Sequence, residues 1–180
     1  MWVVGRLLMS SYVQQYLHTA LIWQIATCTR ADELGDSCVN VEDIFFPQEP
    51  RHFDADGFPK FLRFLQRDHK ANTNGTKLPP LEFKLSRNYL RPDVCPVVTT
   101  VLWLVCSGLT HGPLFPALDK SHTVLYEGHV NKTHTLIKWE GDLFKDMGSN
   151  WEDISTHSIR KSVVKWAARC GASTFRTRGG

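Results

Sequence analysis

His157 and Arg160 stand three residues apart at the start of a basic, amphipathic stretch, Ser155 to Gly171. Ser155 or Thr156 can cap a helix there, and Gly171 can end it in a left-handed turn. Ile159, Val163, Trp166 or Ala167, and Cys170 then recur at helical spacing and form one apolar face. His157 and Arg160 share another face. An imidazole and a guanidinium together, beside the free N–H groups of a helix N-terminus, suit an anion such as phosphate. A core-packed helix with a solvated basic face has the same pattern, so the pair needs partners from elsewhere in the chain.

The charge distribution points the same way. Residues 1–155 carry 15 basic and 18 acidic residues, whereas the last 25 carry six basic and none acidic. Arg160, Lys161, Lys165, Arg169, Arg176 and Arg178 form this basic end. Such asymmetry suggests an anionic partner, with nucleic acid the usual one. The five cysteines are odd in number and form no C-x-x-C pair. That argues against a disulfide framework and gives little for zinc, and it suits reduced thiols in cytosol or nucleus. The apolar N-terminus lacks a basic region before its apolar run, and no window holds about 18 uninterrupted apolar residues. Neither a leader peptide nor a membrane span is expected.

The elements that must position these groups follow from periodicity. Leu7 to Thr27 reads as a helix with Leu8, Tyr12, Tyr16, Leu17, Leu21 and Ile25 inward. It runs into Arg30 and Glu33, again three apart, where Arg30 can serve a site or simply pair with Glu33 or Asp36. The run from Cys38 to Phe46 alternates as a strand would. Residues 47–60 are rich in Pro, Gly and Asp and read as loop. Phe61 to Gln66 and Leu81 to Leu85 read as strands flanking a hairpin turn at Asn72-Thr-Asn-Gly75. Lys70 and Lys77 flank that turn, where a lysine either swings into a neighbouring site or stays solvated. A buried helix is expected from Pro96, which suits a first helical turn, to about Gly108, although periodicity alone also allows a strand there. A short strand is expected at Leu114–Phe115. A further helix is expected over Thr133 to Asp146, with Leu136, Trp139, Leu143 and Phe144 inward.

Taken together, these segments resemble the catalytic domain of the tyrosine recombinase (phage integrase) family. Arg30-Ala-Asp-Glu-Leu followed by Val41-Glu-Asp-Ile resembles its R-x-x-E-L…x-x-D-[IVL] segment. Thr156-His-Ser-Ile-Arg-Lys resembles its H-x-[LI]-R-[HRK] box. The hairpin with Lys70 is similar to the K-T-x-x-x-G turn that carries the family's mobile lysine. Pro92-Asp-Val-Cys-Pro, the apolar helix and Gly112-Pro-Leu-Phe-Pro resemble versions in eukaryotic mobile elements of the Crypton type. The likeness spans residues ~7–180 in family order.

The resemblance implies an α+β fold, mainly α: a helical catalytic core with a small antiparallel sheet and hairpin. It implies DNA integration and recombination, with double-stranded DNA as partner, a homo-oligomer assembled on it, no membrane association and a nuclear location. Arg30 and Arg160 would stabilise the charge built up on a phosphodiester as a hydroxyl attacks, using bidentate geometry that lysine cannot reproduce. Lys70 would protonate the leaving oxygen, His157 would assist proton transfer or hold the phosphate, and Glu33 would orient the turn carrying Arg30. Lys161, Lys165, Arg176 and Arg178 would contact DNA. No metal or other cofactor is implied, since the arginines supply the charge. The family's nucleophile is a tyrosine some tens of residues after the H-x-x-R box, yet Tyr12, Tyr16, Tyr89 and Tyr126 all precede Arg160. The expectation is therefore a partial catalytic domain over 1–180, without that tyrosine and without the family's N-terminal DNA clamp.

Overall fold

The computed structural model describes residues 12–29, 34, 39–66, 79–118, 133–146, 161–165 and 169. They form an α+β fold, mainly helical, around a small antiparallel sheet. Its centre is α1 (Tyr12–Thr27), which buries Gln15, Tyr16, Leu17, Thr19, Ala20, Ile22, Trp23 and Gln24. A helix covered on more than one side is central rather than superficial. Its inward face differs from the expected stripe. Ile25 is 46% exposed, while polar Gln15, Thr19 and Gln24 are buried in its place.

Helix α2 (Pro96–Ser107) begins with proline in its first turn and ends at Gly108, whose φ of 68° is left-handed. The Gly108 N–H closes onto the Leu104 carbonyl at 3.0 Å. Several polar groups of α1 beside α2 are paired, while the Tyr12 hydroxyl, against Trp103, has no hydrogen-bond partner. The Trp23 indole N–H donates to Thr100 Oγ1 at 2.7 Å, and the Thr19 hydroxyl donates to the Gln15 carbonyl at 2.9 Å. Tyr16 meets the rings of Trp103, Phe115 and Trp139 edge-on, at centroid distances of 5.2, 5.6 and 6.0 Å. Such contacts add to the burial of large aromatic area.

The sheet has the order β1 (Ile44–Phe45), β2 (Phe61–Gln66), β3 (Leu81–Ser86), with both pairs antiparallel. Along β2, Leu62, Phe64 and Gln66 are buried and alternate with more exposed Phe61, Arg63 and Leu65, as a one-sided sheet requires. Phe64 stacks on Phe83 and tilts against Trp23 of α1, tying sheet to helix. Helix α3 (Thr133–Asp146) buries Leu136, with Ile137 and Trp139 packed partly against the core. The expected inward side chains Leu143 and Phe144 lie outside the described residues.

Two expected strands are corrected. Among the described residues the alternation before Phe46 yields a strand only at Ile44–Phe45, because Val41–Asp43 forms a 3₁₀ turn; Cys38 lies outside them. Tertiary hydrogen bonds decide this: the Val41 N–H goes to the Gly112 carbonyl at 2.8 Å, and the Asp43 N–H turns back to Asn40 at 3.1 Å. Leu114–Phe115 is a buried loop, bounded by Pro113 and Pro116, which donate no N–H to a ladder. The Leu114 N–H bonds to the Val39 carbonyl at 3.0 Å, and the Leu114 carbonyl accepts from the Trp103 indole at 2.8 Å. The start of the first expected helix, before Tyr12, lies outside the described residues.

Candidate nucleic-acid interface

The segment carrying Arg30 is bracketed by structure. Cys28, at φ 55°, ends α1 in a conformation unusual for a non-glycine residue. The Thr27 hydroxyl donates to the Trp23 carbonyl at 2.6 Å and lies 2.8 Å from the hydroxyl of buried Thr29. Leu34, the last residue of the R-x-x-E-L motif, is in the hydrophobic core. Arg30 and Glu33 lie between these two anchors in sequence and outside the described residues. Downstream, Asp43 is buried and Glu42 accepts the Gly112 N–H at 2.8 Å, which holds this stretch against the loop after α2.

The lysine candidates belong to the connection between neighbouring strands. Gln66, the last residue of β2, faces Leu81, the first of β3, so residues 67–80 join two paired strand ends. Lys70, Lys77 and the Asn72–Gly75 turn lie outside the described residues, as do His157, Arg160, Arg176 and Arg178. Residues 161–165 and 169 are helical, within the stretch expected to be one. Lys161 and Lys165 are exposed four residues apart on one helical face, Arg169 is exposed, and Val163 is half-buried. Of the nine expected site residues, Lys161 and Lys165 are therefore the described ones, and they share a face turned to solvent.

The described tyrosines differ in their surroundings, and the Tyr12 hydroxyl has no hydrogen-bond partner. Tyr16 is fully buried in the aromatic cluster. Tyr12 is half-buried against Trp103, and burial pushes its phenol up to about 12. Tyr89 is exposed and its hydroxyl lies 3.4 Å from Asp54 Oδ1. A phenol held in its neutral form is a poor nucleophile at neutral pH. Among the described residues no group of three or more His, Cys, Asp or Glu side chains could hold a metal ion, and no helix is long and apolar enough to cross a membrane.

Two polar clusters escaped the sequence reading. Arg87, just after β3, bonds Asp54 Oδ2 at 2.7 Å and forms a two-pronged pair with Asp56, while its guanidinium lies over the rings of Phe58 and Tyr89. Its hydrogen bonds hold the Asp56 carboxyl down at about 2. The second is buried Glu140 on α3, which accepts a hydrogen bond from the Gln24 amide on α1. Its signal was present: Glu140 follows Leu136 by four, on the inward stripe of α3. Compared with protein-family models, the chain matches none, and compared with curated proteins it gives no significant match.

Proposed function

We propose that this chain is a DNA-binding domain of the tyrosine-recombinase type, built to grip a phosphodiester with Arg30 and Arg160. The supporting observation is the order of elements. Helix α1 leads into the Arg30 segment, and a three-stranded antiparallel sheet follows whose second connection contains Lys70. Then come α2, α3 and a helical run directly after Arg160. That is the order in which the resemblance calls for an arginine, a hairpin lysine and an H-x-x-R helix. Exposed Lys161, Lys165 and Arg169 supply a cationic face for the flanking phosphates.

In this reading two guanidinium forks stabilise charge on the non-bridging oxygens, His157 holds the phosphate, and Lys70 delivers the proton to the leaving oxygen. No tyrosine follows Arg160 within residues 1–180; of those described, Tyr16 is buried in the aromatic core, Tyr12 packs its ring on Trp103 and Tyr89 lies beside Asp54. Strand cleavage therefore requires a tyrosine from outside these residues, and a homo-oligomer on DNA in the nucleus is the setting that would supply it. The lack of a tyrosine after Arg160 within these residues favours a second reading, a non-catalytic DNA-binding protein of the same fold.

The test is binding to a fluorescent duplex across a salt series. Arg30→Ala and Arg160→Ala are each expected to weaken binding by about 10-fold or more, and each to lower the salt slope by about 1. Arg51→Ala, an exposed arginine paired with Glu49, is the reference. Losses no larger than that reference would refute the shared phosphate pocket.

A further inference from the structure

Helices α1 and α3 meet through two side chains that are both fully buried, Gln24 and Glu140. The Gln24 Nε2–H donates to Glu140 Oε1. The other oxygen of each group, Gln24 Oε1 and Glu140 Oε2, has no hydrogen-bond partner. An ionised Glu140 would then sit in the core with one neutral donor and no counter-charge among the described residues, an arrangement that is strongly unfavourable. One proton removes the conflict. On Oε2 it turns an orphaned acceptor into a donor, and the other orphan, Gln24 Oε1, belongs to the amide already bonded to the same carboxyl. Amide and carboxyl are planar forks of similar width whose terminal torsions are soft, so one bond in place sets up the second.

We propose that folded Glu140 is protonated on Oε2 and closes a two-bond carboxylic acid–amide ring with Gln24, a proton-operated latch between α1 and α3. This inference is independent of the DNA-binding reading.

The electrostatic surroundings agree. Desolvation pushes the Glu140 carboxyl up to about 7, opposed by the Gln24 N–H. The other described titratable side chains on the two helices are Tyr12, Tyr16 and His18 on α1 and Lys138, Asp142 and Lys145 on α3. The three on α3 are exposed, and none of the six contributes to the shift. The sign follows from linkage. A carboxyl raised on folding contributes fully below its unfolded value of ~4.5, and that contribution is lost as pH rises toward 7. Above about 7 the Glu140 contribution is gone and changes no further.

Carbon-13 NMR of glutamate carboxyls in the folded 180-residue chain tests this directly. One resonance is expected to titrate near 7 and to vanish in E140Q. Midpoints that all lie in the ordinary glutamate range, or a raised resonance that persists in E140Q, would overturn the latch. Urea unfolding gives a second readout. Between pH 4.5 and 8 the wild-type folding equilibrium is expected to fall on the order of 100-fold. E140Q, which can close an amide–amide ring without a titrating proton, is expected to lose none of this, and an equal loss would overturn the proposal. Should E140Q fail to fold, Q24E puts two carboxyls at the joint. A second raised glutamate midpoint is then expected, and its absence would count against the ring.

Discussion

Helix α1 buries polar side chains against two partners, and the two contacts are resolved in different ways. Against α2 the polar groups are hydroxyls and an indole: Trp23 donates to Thr100, Thr19 to the Gln15 carbonyl of its own helix, and the Tyr12 phenol is left over but stays neutral. Against α3 the polar groups are an amide and a carboxyl, and two oxygens are left over. The lesson concerns charge more than polarity. A neutral donor can be buried by one good hydrogen bond, whereas a carboxyl needs several donors, a counter-ion or a proton. Arg87 shows the counter-ion solution in the same molecule. Its side chain is 9% exposed and is answered by two carboxylates.

The sharpest way to break this contrast is Trp23→Ala. That residue fills the space between α2 and the sheet, against Phe64, and its loss is expected to cost ~3–5 kcal/mol in urea unfolding. The cost is expected to be equal at pH 5 and pH 8, because neither Trp23 nor its partners Thr100 and Phe64 titrate. A clear difference between the two pH values would erase the distinction drawn between the two contacts.

Next in size is Arg87→Ala, which strands the largely buried Asp54 and is expected to cost about 2–3 kcal/mol at neutral pH. The acid side of the stability curve reports on Asp56, whose carboxyl is held at about 2 by the Arg87 hydrogen bonds. A depressed carboxyl stabilises above its unfolded value of ~4, and that contribution is lost as pH falls toward 2. Since Asp56 is half exposed, solvent screening keeps this arm shallow. It is expected to disappear in Arg87→Ala, and its sign is opposite to that expected for Glu140. Acid unfolding followed by circular dichroism would measure it.

Thr100→Val is smaller. It leaves the Trp23 indole N–H without its acceptor and is expected to cost ~1–2 kcal/mol, again independent of pH between 5 and 8. Smallest is Gly108→Ala, at about 1 kcal/mol. The added methyl meets open space, so the cost comes from the left-handed backbone alone. Thermal melts of the two variants would show whether α2 is held more by its contact with α1 or by its own terminus.

Much of the secondary structure was legible in advance. The strand over Phe61–Gln66, its partner from Leu81, the helix beginning at Pro96 and the helix over Thr133–Asp146 all lie where periodicity and punctuation put them. The α+β class, mainly helical, follows from these. The candidate site was legible only as motifs. Arg30, Glu33, Lys70, His157, Arg160, Arg176 and Arg178 lie outside the described residues, and the exposed Lys161 and Lys165 carry what the structure adds. Two misread segments share one cause. Val41–Asp43 and Leu114–Phe115 take their conformations from each other's neighbourhood, through bonds such as Val41 to Gly112 and Leu114 to Val39, about 70 residues apart in sequence.

What the residues alone determined is whatever depends on close neighbours along the chain. Proline at the start of α2 and glycine at its end act through their own backbone angles, and the alternation of β2 acts through its own pleat. What only the tertiary structure decided is which polar groups are sealed from water and by whom. Ile25 faces solvent while Gln24, beside it, is buried, because α3 brings Glu140 to that side of α1. Burial is a property of the assembled surfaces, and the state of a buried carboxyl depends on donors contributed by a helix more than a hundred residues away.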